Sequence, residues 1–514
     1  MFCEHPLRDV RGQNGVASIP GTLLPFADTY QYMTDMRGFL SRASGQKNVQ
    51  TMFKTSASVS ADKFLLIVME GLMAATKNDL AKFVNDKSGR LKTNTTNPAN
   101  TQTGDESAGK AQADRYWYRW HRILHDHLVQ TQATNLLAAS YQKRFSEFLD
   151  GNARFPVGEW TAMRLLEFTK KDVAEAAIYS LFGPRILELN PDLLQLMWDF
   201  DEVAGSLAWG LPQWMNRKAY RRRSRFHATS ARFLDSAWAS FDWSGPDSDA
   251  DWEPHFGSRM IREVAKFLAE TGFSPGFCAG FVATLVYGQN GNTVPIVTWC
   301  VMELVKDPEL FRAVRAEVLT AIVMDPETQK RTIDLQALLP LPVLQSVYTE
   351  ALRMHVSINV TREIMEPIVL EGHRLERGAI LQAPSEIIQY DEKIWSADSH
   401  PASEFWAGRH LKHVKSTDEA GNVVQVPQFD LAGRVNDFIA YGGGIAMCPG
   451  RFFAKREIMI TIAMLVSRFD IEFVDWTTLD GRPSDRPARN DDRWAGGAAV
   501  PPDRDMKVRV KKLW

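Results

Sequence analysis

The stretch that most constrains this chain is Phe438–Glu457, FIAYGGGIAMCPGRFFAKRE. Three successive glycines, Gly442, Gly443 and Gly444, let the backbone bulge and keep bulk away from whatever lies over it. A lone cysteine, Cys448, follows, and then Pro449 and Gly450, which suit a helix start. From Arg451 onward the apolar residues Ala454, Ile458, Ile462, Leu465 and Phe469 recur at helical spacing. Cys448 therefore sits at the positive end of a helix, where backbone N–H groups favour a thiolate over a thiol. A flat ligand could approach such a glycine surface closely.

The rest of the chain sets the class. At 514 residues it is long for one ordinary domain, though large single-domain enzymes reach this size. Apolar content of 45% and charged content of 24% are those of a globular protein. A net charge of -2 gives no attraction to nucleic acid or to an acidic partner. The other cysteines are Cys3, Cys278 and Cys300, with no CxxC pair, so a reducing compartment fits better than a disulfide framework. Cys278 and Cys300 lie in apolar runs and read as small core residues. No segment supplies the about 20 apolar residues of a membrane-spanning helix. The run Phe64–Ala75 is too short and Glu70 interrupts it, and the polar N-terminus has no signal-peptide core.

Along the chain, Ser18–Asp35 has the Pro-Gly punctuation of an irregular strand, with a helix expected over Tyr30–Ser44. Lys92–Asp114 is almost free of apolar residues and reads as a flexible surface loop. Helical patterning dominates from Arg115 to about Ile322, with breaks near Gly151–Pro156, Gly183–Pro191, Gly210–Pro212 and Gly245–Pro254. Val356–Leu411 is rich in β-branched residues and turns and predicts short strands. The expected architecture is mainly α with a small β-rich portion. The cluster Arg217–Arg225 reads as a solvated helix end, with a membrane-surface role as the alternative.

Three readings stand for Cys448: a buried thiol in a helix-start loop, a nucleophile, or a thiolate ligand to haem iron. No His/Asn arrangement nearby supports the nucleophile. The spacing favours the third, because YGGGIAMCPG resembles the haem-binding loop of the cytochrome P-450 family, Phe-x-x-Gly-x-x-x-Cys-x-Gly. Gly444, Cys448 and Gly450 match. Tyr441 stands for the usual Phe, and Ala446 stands where an Arg or His often reaches a haem propionate. Other landmarks follow in the family's order. Glu350 and Arg353 share a helix face with the stripe Leu344, Val347 and Leu352. The resemblance makes them a buried structural set completed by Arg409, where an isolated pair would be a surface ion pair.

Val286–Leu310 reads as a long apolar helix interrupted at Gly288–Pro295, where Pro295 frees upstream carbonyls. By resemblance it is the distal helix, with Thr293 as the threonine near bound oxygen. Asn292 replaces the usual acid, and Gln289-Asn290 replaces the usual Ala-Gly pair. Asn292 can orient a water but carries no proton at neutral pH. The Asn-Thr-x-Pro segment is similar to the branch holding sterol 7-hydroxylases and prostacyclin synthase. The aromatic and basic helix Asp114–Leu128 offers Trp117, His121 and Arg122 to the propionates, and Arg362 is a further such residue. Metal binding by His121 and His125 competes, but nothing completes a ligand set. Lys455 and Arg456, near the cysteine, could help dock an acidic reductase.

The resemblance implies a tail over 1–19 and one P-450 domain over 20–514, with haem b between a distal and a proximal helix. It implies a monooxygenase using O2 and NADPH electrons from cytochrome P-450 reductase, with the Cys448 thiolate favouring O–O cleavage. The substrate is expected to be small and hydrophobic (a terpenoid, steroid, alkaloid or polyketide), in fungal secondary metabolism. Phe281, Val282, Leu285, Val286, Ser357–Thr361 and Leu196–Trp214 are expected to shape its pocket. Location is expected at the cytosolic side of the endoplasmic reticulum through peripheral contact, or in the cytoplasm if an anchor is truly absent. The two rival functions are an electron-independent haem-thiolate isomerase or dehydratase and a non-catalytic helical binding protein.

Overall fold

The computed structural model describes residues 58–90, 114–208, 210–327, 330–370, 373–417 and 421–514. The expected tail 1–19, the stretch Ser18–Asp35, the helix over Tyr30–Ser44 and all but the last residue of the Lys92–Asp114 loop lie outside them. The helices that position the site are α1 (Tyr116–Leu128), α2 (Thr131–Gly151), α3 (Ala174–Phe182), α4 (Leu193–Ala208), α5 (Arg217–Ser240), α6 (Pro275–Lys306), α7 (Pro342–His355) and α8 (Arg451–Arg468). The strands are β1 (Val59–Ser60), β2 (Trp160–Arg164), β3 (Val356–Ile364), β4 (Ile380–Pro384), β5 (Phe469–Thr477), β6 (Gly497–Ala499) and β7 (Asp505–Lys512).

Helix α6 is the spine. Ser274 caps it by accepting the Phe277 N–H, and Pro275, with no N–H to lose, opens the first turn. Its first half packs Phe277, Phe281, Val282 and Val286 into one core with Phe200 of α4 and Phe226 of α5. Its second half packs Val297, Trp299 and Met302 into another with Tyr141 of α2, Leu344 of α7 and Ile462 of α8. The expected interruption at Gly288–Pro295 does not occur: the helix runs unbroken with Pro295 inside it. Packing on both sides outweighs the about 3 kcal/mol that an interior proline costs. Pro295 still leaves the Gly291 carbonyl without its helical N–H.

Helix α8 shows more than the expected apolar stripe. Every residue from Arg456 to Arg468 is buried, so the helix is enclosed on all sides. Strand β3 pairs antiparallel with β1, β4 and β6, and sets Arg362 opposite Leu381 and Ile358 opposite Gly497. The second sheet runs β5-β7-β2. Strand β2 lies in the region where helical patterning dominates, between two of its expected breaks. Its partner is β7 at the far end of the chain, a pairing that local pattern does not carry.

Candidate active site

The cysteine loop is a tight turn built on glycine. Gly442 at φ 70° and Gly444 at φ 66° take left-handed backbone that glycine adopts freely. The Gly442 N–H donates to Ile439 O at 2.8 Å and the Cys448 N–H to Tyr441 O at 3.1 Å. The Tyr441 hydroxyl bonds that of Tyr348 on α7 at 2.5 Å, which ties the loop to the helix carrying Glu350. Gly450 caps α8, and a Cβ there would lie 3.8 Å from Cys448 Sγ.

Burial raises the Cys448 thiol pKa, and the Gly450 N–H, the Arg451 charge and the Arg451 N–H offset only part of that. The Gly450 and Arg451 N–H groups at the helix end thus act in favour of the thiolate, and burial opposes them. Cys448 is nonetheless exposed, as are Gly444, Ile445 and Met447. The sulfur is thus partly desolvated by the loop around it and still reachable from outside. On α6, Gly288 and Asn292, one turn apart, are exposed in the middle of an otherwise buried helix, and a Cβ on Gly288 would meet nothing within 4 Å. Phe281, Val282 and Val286, expected at the pocket, point into the core instead, and Leu285 is half-buried.

Beside the loop is a recess of about 150 Å³ lined by Arg90, Arg362, Gly443, Gly444, Ile445 and the chain around β1. Arg362 Nη2 donates to Gly443 O at 3.1 Å. Arg90 pairs with Asp62 and lies 4.5 Å over the Trp117 ring. The pKa of His121 is lowered by burial and by the Arg90 charge. Arg362, Trp117 and His121 are thus gathered around Arg90, which the sequence reading missed because it stands in a short turn with no periodicity. Arg122 does not join them. It pairs with Asp126 at 3.2 Å in a separate open, charged groove of about 1460 Å³ that does not touch the cysteine loop. Lys455 and Arg456 are also turned inward, to Gln345 and Asn135 at 2.8 Å each, so they are not free docking cations.

Glu350, Arg353 and Arg409 meet with no exposed side-chain surface. Glu350 takes Arg353 Nη2 at 2.8 Å, Arg409 Nε at 2.9 Å and the Trp406 N–H at 3.2 Å. His410 Nε2 adds a contact at 2.9 Å that the sequence reading missed, although the residue adjoins Arg409. Burial lowers the His410 pKa, so the neutral ring donates. Burial alone raises Glu350, but hydrogen bonds from Arg353 and His410 outweigh it and hold the carboxyl well below the usual range. The two arginines continue outward to the Gln389, Glu404 and Pro401 carbonyls. Thr293 is buried on α6. Asn292 is committed at both ends: Oδ1 accepts the Ala499 N–H of β6 at 3.2 Å and Nδ2 donates to Gly288 O at 3.2 Å.

A reachable thiol at the helix start, a glycine-built loop around it and two guanidiniums at the recess beside that loop suit a thiolate-bound haem with its two carboxylates. Among the described residues no helix is long and apolar enough to cross a membrane. The family model of cytochrome P-450 matches residues 183–483. The chain is 48% identical to the cytochrome P-450 monooxygenase calL of Penicillium decumbens, over 97% of this chain and 93% of the relative. It is 28% identical to the cytochrome P-450 monooxygenase efuG of Hormonema carpetanum, over 69% and 65%. It is 27% identical to the human 7-alpha-hydroxycholest-4-en-3-one 12-alpha-hydroxylase, over 49% of each chain. These likenesses set aside the non-catalytic and electron-independent readings, and the haem cofactor follows from them: the chain belongs to the cytochrome P-450 family and is a haem-thiolate monooxygenase.

Proposed function

We propose that Cys448 is the axial thiolate of haem b and that residues 20–514 form one catalytic domain around it. The observation that carries this reading is the desolvated yet reachable thiol at the start of α8. Haem held there supplies O2 activation and insertion of one oxygen atom into a C–H bond. The chain's residues do the rest. Tyr441, Gly444 and Gly450 shape the loop. Arg362 and Arg90 receive the propionates, with Trp117 packed on Arg90 and His121 beside it; Arg122 has no part. Glu350, Arg353 and Arg409, joined by His410, fix the scaffold between α7 and the loop. Thr293 holds a proton-bearing hydroxyl at the distal face, and Asn292 anchors β6 to α6.

The substrate is small and hydrophobic and the setting is fungal secondary metabolism; the human relative's name supports a sterol-like molecule. Electrons come from NADPH through cytochrome P-450 reductase. Exposed Trp214 and Met215 precede exposed Arg217, Lys218, Arg221 and Arg225, which supports peripheral contact with the cytosolic face of the endoplasmic reticulum. The test is the reduced carbon monoxide difference spectrum. Wild type gives the red-shifted Soret band of a thiolate ligand and Cys448→Ser gives none. An unchanged band in the variant removes the assignment.

A further inference from the structure

Tyr441 stands where the resembled loop has Phe, and the fold gives its extra oxygen a partner. Tyr348 of α7 is buried, and its hydroxyl meets that of Tyr441 at 2.5 Å. Burial raises both phenol pKa values, so this is a bond between two neutral hydroxyls. Phe at position 441 would pack in the same core but could not make it.

The bond reaches the sulfur through a single residue. The Tyr441 carbonyl accepts the Cys448 N–H at 3.1 Å, so the residue whose side chain is tied to α7 also holds the backbone of the cysteine. The arc between them passes through left-handed Gly442 and Gly444, and Gly444, Ile445, Met447 and Cys448 are exposed. Backbone this rich in glycine has little stiffness of its own and takes its shape from its anchors. Arg362 of β3 bonds the arc at the Gly443 carbonyl, and Arg451 of α8 bonds it at the Cys448 carbonyl. Tyr348 adds an anchor on a third element. It lies two residues before Glu350, whose buried carboxylate joins α7 to Arg409 and to the Trp406 N–H. The cysteine loop is thereby referred to a helix that buried ion pairs hold in place.

Resting on the haem-thiolate reading above, we propose that Tyr348 is a positioning residue for the axial sulfur: through the Tyr441 hydroxyl it fixes the carbonyl that holds the Cys448 N–H, and so favours the thiolate-bound state over the detached one. Tyr348 acts only through Tyr441. The hydroxyl pair is this chain's own device, since the usual Phe of the resembled loop has no oxygen to bond.

The test reads ligation, not turnover. In the reduced carbon monoxide complex at sub-denaturing urea, wild type divides between the red-shifted thiolate band and the unshifted band of haem that has lost the thiolate. Tyr348→Phe and Tyr441→Phe each keep the ring and remove the bond. Each moves that ratio about fivefold toward the unshifted band, the factor that one neutral hydrogen bond carries. The double variant moves it no further than either single one, because both delete the same bond. Resonance Raman spectra show the iron–sulfur stretch displaced in both. Tyr441→Phe installs the residue usual in the resembled loop, so it folds even where Tyr348→Phe does not. Tyr141→Phe is the control. It removes a buried hydroxyl bond of 2.6 Å to Thr461, further along α8, and lowers the melting temperature without moving the ratio or the stretch. A ratio unmoved in Tyr441→Phe, additive effects in the double variant, or an equal shift in Tyr141→Phe overturns the proposal. A wild type with no red-shifted band would instead sink the haem-thiolate reading itself.

Discussion

Two glutamates, Glu350 on α7 and Glu457 on α8, are equally inaccessible, yet one is held charged and the other neutral. Glu350 is saturated by two guanidiniums, a neutral imidazole and a backbone N–H, and remains ionised. Glu457 has one long contact from an amide and remains protonated near neutral pH. Burial penalises the ionised carboxylate in both places. Only the partners differ, and they decide the outcome. A buried charge with its partners fixed is a rigid joint.

The sharpest way to break this contrast is to neutralise the first site. Glu350→Gln leaves Arg353 and Arg409 buried without a counter-charge. Breaking a buried ion pair from one side costs about 3–5 kcal/mol. The expected outcome is loss of soluble, haem-containing protein, read from the absorbance ratio of haem to protein after purification. Normal yield and haem content would mean that the backbone carbonyls alone satisfy both arginines. Glu457→Gln has the opposite expectation: full yield, because the neutral amide resembles the neutral acid.

A second, smaller effect separates the two sites by pH. The folded state raises the Glu457 pKa to about 8 from an unfolded value of about 4.3. Between those values the native state binds the extra proton, so stability falls as pH rises from about 5 to 8. Glu350 has the reverse sign: its lowered pKa contributes stability above the unfolded value, and that contribution is lost as pH falls below about 4. Glu457→Gln is therefore expected to melt a few degrees higher than wild type at pH 8 and equally at pH 5, at one fixed scan rate. Parallel melting curves across that range would show that Glu457 ionises without cost and hence has a partner.

The same contrast explains what local pattern reveals. The cysteine loop, the Glu350–Arg353 spacing and the stripe of α8 are short-range features, and a few residues carry each of them. Arg409 was legible only through family order, and His410 follows it directly but has no spacing rule of its own. Arg90 meets Arg362 and Trp117 across long stretches of chain, so nothing around it in sequence marks it. Glu457 has no spacing signal of its own; its burial comes from α2 and α6, which lie far away in the chain. The unbroken course of α6 through Pro295 is likewise a tertiary effect, since local propensity alone ends the helix there.

The finest test tunes the contact that Glu457 does have. Gln289 Nε2 stands at 3.4 Å, long for a hydrogen bond, and favours the ionised carboxylate only weakly. Gln289→Met keeps the volume and the helix while removing that donor, and it leaves Ala177 O without its side-chain partner. The stability cost should stay within about 1 kcal/mol. With desolvation then unopposed, the pH midpoint of the wild-type stability loss should move upward by less than about one unit. A downward movement would mean that the amide oxygen, not the amide nitrogen, faces the acid. Glu457 would then be donating to Gln289 Oε1, and its proton would be held by that side chain.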